Sequence, residues 1–538
     1  MTGSEAMAKC LELENVEVVY GYPGVAIANF FDSLGATGIR QVLVRTEQNA
    51  GHMASGYART LGKVGVCAVT SGPGALNLIT GIATAYADSI PLVCISGQVD
   101  SDLIGSDGFQ EADVTGATES IVKYSYLIKD VKDIPRVFKE AFYIANTGRR
   151  GPVLIDVPID VQRAELKEFD YPEEVSLRTY KPTVKGHIQQ IKRAVSELKK
   201  AKHPLICAGG GVFLSGAKKE LRAFAEQYSI PVVHTMMGIG VLPTDHELNY
   251  GMVGNNGSIS ANKAMQECDV LMMVGARVAD RAVANPNIIL ENKILIHIDV
   301  DPAEIGKNVG PTIPIVGDAK TIFEDLVQQP LQLDTASWRE LLREYRKIPP
   351  ALSFSDKCVN PAVFIGLLSH SMQDRAVYVA DVGQNQIWSC ANVNVRDGGR
   401  FFTSGGMGTM GYSVPAAIGS KMADGSRQVV ALCGDGGFQM SMMELATMKE
   451  EKVDIKIVVL RNNYLGLVRE YQHYSLNDRY EMVRLGSYPK LDDLARAYDI
   501  AYFRAENMDG IDKKVEEFLG NDGPALMEVI VDPADTVK

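Results

Sequence analysis

Val429-Val430-Ala431-Leu432-Cys433-Gly434-Asp435-Gly436-Gly437-Phe438 is an apolar, β-branched run that stops at a glycine-rich turn, and residues 442–448 then follow a helical period. A strand feeding a helix through such a turn is the unit of a parallel α/β sheet. The glycines let backbone N–H groups approach a diphosphate at the helix N-terminus, and Asp435 can hold a divalent cation against the phosphates. A second apolar run, Ile455-Lys456-Ile457-Val458-Val459-Leu460, ends in Arg461-Asn462-Asn463, so a neutral amide oxygen arrives at a neighbouring strand end. Carboxylate, amide oxygen, backbone carbonyl, phosphate oxygens and water make the octahedral oxygen shell that Mg²⁺ prefers.

The same rhythm extends through the chain. At 538 residues it is too long for one core, and roughly 150 residues per domain predicts three or four. Buried strands are expected at 16–20, 41–45, 65–70, 92–96 and 153–156, then at 205–208, 270–274 and 294–298, and finally at 377–380, 428–432, 455–460 and 526–531. Proline-bearing stretches at 163–185 and 332–360 separate these blocks, which sets the expected domains at 1–165, 186–333 and 358–538. The first and third have similar size and rhythm.

Composition narrows the class. Apolar residues make up 46% and charged residues 22%, with glycine and proline falling singly between periodic segments, which excludes disorder and collagen. The balance of 54 basic against 66 acidic residues, net −12, argues against a nucleic-acid or anionic-membrane partner. The eight cysteines are scattered without metal-ligand spacing and are expected to be buried thiols in a cytoplasmic protein. No apolar run reaches the ~18 residues of a membrane span, and the N-terminus lacks a basic then apolar leader.

The Gly-Asp-Gly turn followed by an asparagine pair resembles the motif of thiamine diphosphate enzymes. Arg45-Thr46-Glu47-Gln48-Asn49-Ala50-Gly51-His52 looks like the segment whose glutamate bonds the cofactor's aminopyrimidine in that family, and the order of pyrimidine-binding, central and diphosphate-binding domains matches the three blocks. The resemblance narrows to the acetohydroxyacid (acetolactate) synthases on Gly21-Tyr22-Pro23-Gly24, Thr70-Ser71-Gly72-Pro73-Gly74-Ala75-Leu76-Asn77, Gly108-Phe109-Gln110-Glu111-Ala112-Asp113, Gly383-Gln384-Asn385-Gln386-Ile387-Trp388 and Thr403-Ser404-Gly405-Gly406-Met407-Gly408-Thr409-Met410-Gly411.

That resemblance implies the following roles. Glu47 would protonate the pyrimidine N1′, the Gly408 carbonyl would bond the 4′-amino group, and Met410 would wedge between the two rings. Phe109 and Gln110 match the substrate pocket; Pro23, Gly24, Pro73 and Asn77 match the pyrimidine side of the cofactor site. Val382, Gly383, Gln384, Asn385, Gly434, Asp435, Gly436, Gly437, Asn462, Tyr464, Leu465 and Gly466 match its diphosphate side. Asp435, Asn462 and the Tyr464 carbonyl would hold Mg²⁺, with Asn463 the alternative to Asn462, because the spacing to Gly466-Leu467-Val468 is one residue shorter than usual.

The central block resembles the domain that holds FAD in these synthases, through Arg149, Gly209, Gly210, Gly211, Thr235, Met236, Gly251, Met252, Gly275, Arg277, Arg281, Asp299, Asp318 and Ala319. Such a flavin would be structural. Several positions depart from the family: Asn385 for histidine, Ile159 for lysine, Tyr471 for tryptophan, and Arg277-Val278-Ala279-Asp280-Arg281 without the usual aromatic. The chain ends at Asp532-Pro533-Ala534-Asp535-Thr536-Val537-Lys538, where synthases commonly continue into a tail over the active site. The implied activity decarboxylates pyruvate and joins the two-carbon unit to a second 2-oxoacid in branched-chain amino-acid synthesis. A homodimer or homotetramer is implied, with Glu47 and Asp435 of one centre on different chains, and a small regulatory subunit remains open. A different 2-oxoacid decarboxylase or oxidase, and a non-catalytic homologue, are the alternatives.

Overall fold

A computed structural model describes residues 1–279, 281–282, 293–349 and 354–537; Asp280, Pro350 and Lys538 lie outside them. It contains three six-stranded, wholly parallel sheets. The first consists of β1 (Val18–Tyr22), β2 (Arg40–Leu43), β3 (Gly65–Val69), β4 (Leu92–Gln98), β5 (Tyr124–Leu127) and β6 (Pro152–Pro158), in the order β2-β1-β3-β4-β6-β5. The central sheet has β7 (Pro204–Ala208), β8 (Val232–His234), β9 (Asn249–Met252), β10 (Val270–Val274), β11 (Ile294–Asp299) and β12 (Ile313–Val316), in the order β12-β11-β10-β7-β8-β9. The third has β13 (Val377–Ala380), β14 (Arg400–Phe402), β15 (Val429–Gly434), β16 (Lys456–Arg461), β17 (Ala501–Ala505) and β18 (Ala525–Ile530), in the order β14-β13-β15-β16-β18-β17. The outer two sheets therefore repeat one topology, as their similar rhythm predicts.

Each order reverses beside the first strand of its sheet, between β1 and β3, between β7 and β10, and between β13 and β15. In open parallel sheets the crevice beyond the strand ends at such a reversal is where ligands bind. Those strand ends carry Pro23-Gly24 and Gly72-Pro73, then Gly209-Gly210-Gly211 and Gly275, then Val382-Gly383 and Gly434-Asp435. The motifs thus occupy the three positions that topology reserves for ligands.

Strands β5, β8, β9, β12, β14 and β17 are not among the sequence-predicted runs. All but β8 are edge strands, and β8 has only three residues. An edge strand is covered on fewer sides and needs no continuous apolar run, as the half-exposed β5 and β17 show. The stretch 163–185 is irregular, yet it lies against the first domain, where Phe169, Tyr171, Leu177 and Tyr180 pack on its core. The helix Ala336–Arg346 buries Trp338 and Leu342 in the central core and Trp338 Nε1 donates to the Pro204 carbonyl at 3.1 Å, so the central unit reaches past the expected limit of 333.

One apolar core runs unbroken from the first sheet into the third, from Val69 and Cys94 to Val379 and Cys433. It passes through the helices Glu47–Leu61 and Ser413–Ala423, which cross closely enough that a Cβ on Gly56 would stand on the Ala416 backbone and one on Gly419 on that of Met53. Alanine at either would overpack the crossing, at about 1–3 kcal/mol. Seven of the cysteines are buried and Cys358 is half-buried. Among the described residues no helix is long and apolar enough to cross a membrane.

Candidate active site

The diphosphate-side residues converge. Val382, Gly383, Gln384, Asn385, Met410, Gly434, Asp435, Gly436, Gly437, Asn462, Tyr464, Leu465 and Gly466 line one cleft at the ends of β13, β15 and β16. Asp435 opens the helix Asp435–Ser441, where its carboxylate accepts the backbone N–H of Gly436 at 3.1 Å and that of Asn463 at 2.6 Å. Burial pushes this carboxyl up to about 6, against the pull of those two N–H groups. The two asparagines differ in placement: Asn462 is nearly buried in the cleft wall, whereas Asn463 takes a left-handed backbone (φ 61°) and its Oδ1 accepts from Arg461 Nε at 2.8 Å. Among the described residues no three His, Cys, Asp or Glu side chains gather to hold a metal. Carboxylate, amide and carbonyl oxygens suit Mg²⁺.

One polar atom of the cleft wall is left unpaired. Asn385 Oδ1 is buried without a hydrogen-bond partner, and its Nδ2 donates only to the Val382 carbonyl at 3.2 Å. Turning this amide over presents N–H donors to phosphate oxygens.

The pyrimidine-side residues form a second, separate group. Asn77 Nδ2 donates to Glu47 Oε2 at 3.1 Å, and Glu47 Oε1 lies 3.3 Å from where a Cβ on Gly74 would stand. Pro23-Gly24 meets Thr70 across the reversal between β1 and β3, so Gly24 has no room for a side chain. Phe109 is 89% exposed, and the backbone of Gln110 (φ 60°) sits against Gly72. None of Pro23, Gly24, Glu47, Pro73, Asn77, Phe109 or Gln110 lines the diphosphate cleft of the same chain.

A larger cleft of about 1110 Å³ lies between the central domain and the other two. Of the residues expected to hold a dinucleotide, Arg149, Gly210, Gly211, Thr235, Met236, Met252, Gly275, Arg277, Arg281, Asp299, Asp318 and Ala319 line it. Gly209 and Gly251 do not. A Cβ on Gly209 would collide with Gly275 and Ala276, and Gly251 has φ 99° with Ser258 at its open side, so close packing and turn geometry account for both. Arg149 Nη1 pairs with Asp301 at 3.3 Å and Glu304 at 2.9 Å, and Asp318 caps the helix Ala319–Val327 through Lys320 N–H at 2.9 Å. Burial pushes the Asp299 carboxyl up to about 6. Gly408 lines this cleft, and Val382 and Leu467 line both clefts, so the two adjoin.

Three family models match the chain in register with these groups: thiamine pyrophosphate enzyme, N-terminal TPP binding domain, over residues 1–117; the central domain over 191–326; and the C-terminal TPP binding domain over 381–529. Over 549 residues the chain is 43% identical to a probable acetolactate synthase large subunit of Methanocaldococcus jannaschii, covering 100% of this chain and 93% of the relative. It is 40% identical to the acetolactate synthase large subunit of Lactococcus lactis subsp. lactis (100% and 93% covered), and 41% to that of Corynebacterium glutamicum (99% and 87%). The chain belongs to the acetolactate synthase large-subunit family of thiamine pyrophosphate enzymes.

Within this family fold, two carboxylates that sequence reading passed over hold the segment bearing Gly408 and Met410. Asp381, fully buried at the end of β13, accepts the backbone N–H of Gly411 (3.0 Å) and Ser413 (2.9 Å), the Ser413 hydroxyl (2.9 Å) and its own neighbour's N–H at Val382 (2.8 Å). Asp88, on the first domain, accepts from Gly405 N–H at 3.2 Å and Gly406 N–H at 2.7 Å. Burial pushes both carboxyls up, and the N–H donors pull them back. Asp381 follows the apolar run 377–380 directly, and a carboxylate ending a fully buried strand is the signal that could have found it.

Proposed function

We propose that this chain carries out the acetolactate synthase reaction, in which two pyruvate anions and a proton yield acetolactate and CO₂. What supports the reading most directly is the single cleft in which Asp435, Asn462 and Tyr464 stand opposite Met410, on a chain similar over its whole length to acetolactate synthase large subunits. Bound thiamine diphosphate would supply the carbon nucleophile that holds the donor's acyl carbon as CO₂ leaves. Asp435, the Asn462 amide and the Tyr464 carbonyl would hold Mg²⁺ against the diphosphate, which Gln384, Asn385 and the N–H groups of the Gly434–Gly437 turn would bind. Glu47, steadied by Asn77, would hold a proton at the pyrimidine N1′. Gly408 would accept from the 4′-amino group, Met410 would wedge between the two rings, and Phe109 with Gln110 would orient the 2-oxoacid.

Because the pyrimidine residues stand outside their own chain's diphosphate cleft, the reading includes a homodimer or homotetramer in which Glu47 of one chain meets Asp435 of another. Val25 and Phe109, 77% and 89% exposed on the pyrimidine face, would be covered there. The cleft between the domains would take FAD in a structural role, since the balanced reaction transfers no net electrons. The strand order of the central sheet, β12-β11-β10-β7-β8-β9, is the doubly wound dinucleotide order, with the glycine turn after the first strand, β7. The three units would serve pyrimidine, flavin and diphosphate in chain order. A regulatory subunit and a cytoplasmic location belong to the same reading. Ile159 is buried where the family has lysine and Tyr471 is exposed where it has tryptophan, so the acceptor is to be read from products rather than from these positions.

The test is purification without added cofactor, an absorbance spectrum for bound flavin, and incubation with pyruvate, with and without thiamine diphosphate and Mg²⁺. Acetolactate formed only in their presence is the expected result. Acetaldehyde or acetate as the sole product would assign a decarboxylase or oxidase instead.

A further inference from the structure

Glu444 begins the helix Glu444–Glu450 of the diphosphate domain and is fully buried. Its Oε1 accepts the backbone N–H of Arg45 at 2.9 Å and the side-chain amide of Asn49 at 2.9 Å, while Oε2 accepts the Thr447 hydroxyl at 2.6 Å. Arg45 and Asn49 flank Glu47 by two residues on either side. The helix that Glu47 opens has no side-chain cap of its own, since Thr46 makes no capping bond. A carboxylate from another domain instead takes the backbone N–H just before this helix and one side-chain amide in its first turn. Two turns further, Arg40 grips Glu451 through Nε at 2.9 Å and Nη2 at 2.6 Å, so the clamp engages both ends of the helix.

We propose that Glu444 is a positioning residue for Glu47: by accepting from Arg45 and Asn49 it fixes the backbone on both sides of that carboxylate and ties its direction to the helix Glu444–Glu450 of the diphosphate domain. The inference rests on the role proposed above for Glu47. Removing the carboxylate leaves two buried donors unpaired beside the residue that must meet N1′, and a displacement of about 1 Å there is enough to slow chemistry on the order of a hundredfold.

The experiment compares Glu444→Ala, Glu444→Gln, Asn49→Ala and Thr447→Val in the full-length chain. Two readouts are used: backbone amide exchange of residues 45–50 in the cofactor-free protein, and, with thiamine diphosphate and Mg²⁺ bound, the rate at which the cofactor exchanges its thiazolium C2 proton for deuterium. Glu444→Ala is expected to speed amide exchange at 45–50 and slow C2 exchange, each on the order of tenfold or more. Glu444→Gln keeps an acceptor oxygen and should stay within about threefold of the parent. Thr447→Val removes a bond to Glu444 without touching Arg45 or Asn49, so it should lower the melting temperature and leave both exchange rates in place. If Glu444→Ala does not fold, Asn49→Ala carries the test, with the same direction in both readouts. Parent-like exchange in Glu444→Ala or, failing that, Asn49→Ala, or a Gln variant as impaired as Ala, overturns the inference. Full C2 exchange in Glu47→Gln would instead overturn the role of Glu47, leaving the amide-exchange result to stand by itself.

Discussion

Asp435 Oδ2 accepts the backbone N–H of Asn463 at 2.6 Å, while it is Asn462, one residue earlier, that lines the cleft beside it. The paired asparagines therefore differ: the main chain of Asn463 holds the carboxylate, while the Asn462 amide donates to Gln384 at 3.3 Å and accepts from the Tyr464 N–H at 2.9 Å in the cleft wall. Asn462→Ala should weaken Mg²⁺ binding on the order of tenfold or more, as expected for loss of a cation ligand. Asn463→Gly keeps the N–H and suits the left-handed backbone, so its Mg²⁺ affinity should remain within about threefold. Titration of Mg²⁺ in the presence of thiamine diphosphate separates them; equal losses would mean that both side chains bind.

Gln384 occupies the space a side chain on Gly466 would need, with Asn462 Nδ2 only 2.8 Å from that Cβ position. Gln384 also donates to Glu470 at 3.0 Å and to the Asp535 carbonyl at 2.8 Å. Gly466→Ala should push Gln384 off both partners, lowering stability by about 1–3 kcal/mol and weakening thiamine diphosphate binding. Calorimetry with the diphosphate checks this, and unchanged affinity would show that Gln384 yields freely.

Asp381→Ala strips the acceptor from two backbone N–H groups next to Met410. A loss of about 3 kcal/mol is expected, with weaker cofactor binding as the 408–413 segment loosens. Denaturant unfolding gives the first quantity. A variant as stable as its parent would show that the segment is held by other contacts.

Asp156 accepts from Ser96 Oγ at 2.6 Å and from Gln98 Nε2 at 3.0 Å, and Gln98 also donates to the Ala112 carbonyl, in the loop that follows Phe109 and Gln110. Burial pushes its carboxyl from 3.8 to about 7, with Asp113 adding to the rise. Between those values the folded chain holds more protons than the unfolded one, so this group's contribution to stability falls as pH rises through that window. Asp156→Asn should abolish this slope, gaining at most roughly 4 kcal/mol relative to its parent from pH 4 to pH 7. Parallel stability profiles for the two proteins would exclude it.

Gly210 offers a discriminating test of the central cleft. A Cβ there would stand 3.1 Å from Met237 Cβ, a mild crowding, whereas one on Gly275 (φ 52°) would meet Gly211. Gly210→Ala should keep its melting temperature within about 2 °C and lose flavin affinity on reconstitution, because the residue lies where backbone N–H groups approach a diphosphate. Gly275→Ala should destabilise the domain with or without flavin, and a similar response in both variants would argue that the turn serves packing alone.

Much of this protein was legible in one dimension because its function rests on strand ends. An apolar run interrupted by glycine marks both a buried parallel strand and the place where a backbone can approach a phosphate, so Gly434-Asp435-Gly436-Gly437 located the sheet and the diphosphate cleft together. Edge strands such as β5 and β17 left no such trace, because they are covered on fewer sides.

The sequence alone determined the three α/β units, the motifs at their strand ends and the family resemblance, because these depend on local period and on residue type at a turn. Only the tertiary structure decided which glycines of the central block face a cleft and which, like Gly209, merely admit a neighbouring backbone. It also decided that Asp88, Asp381 and Glu444 hold the segments carrying Gly405, Met410 and Glu47. A buried carboxylate acquires its meaning from the N–H groups that reach it, and here the paired segments lie tens to hundreds of residues apart, a relation that no local pattern encodes.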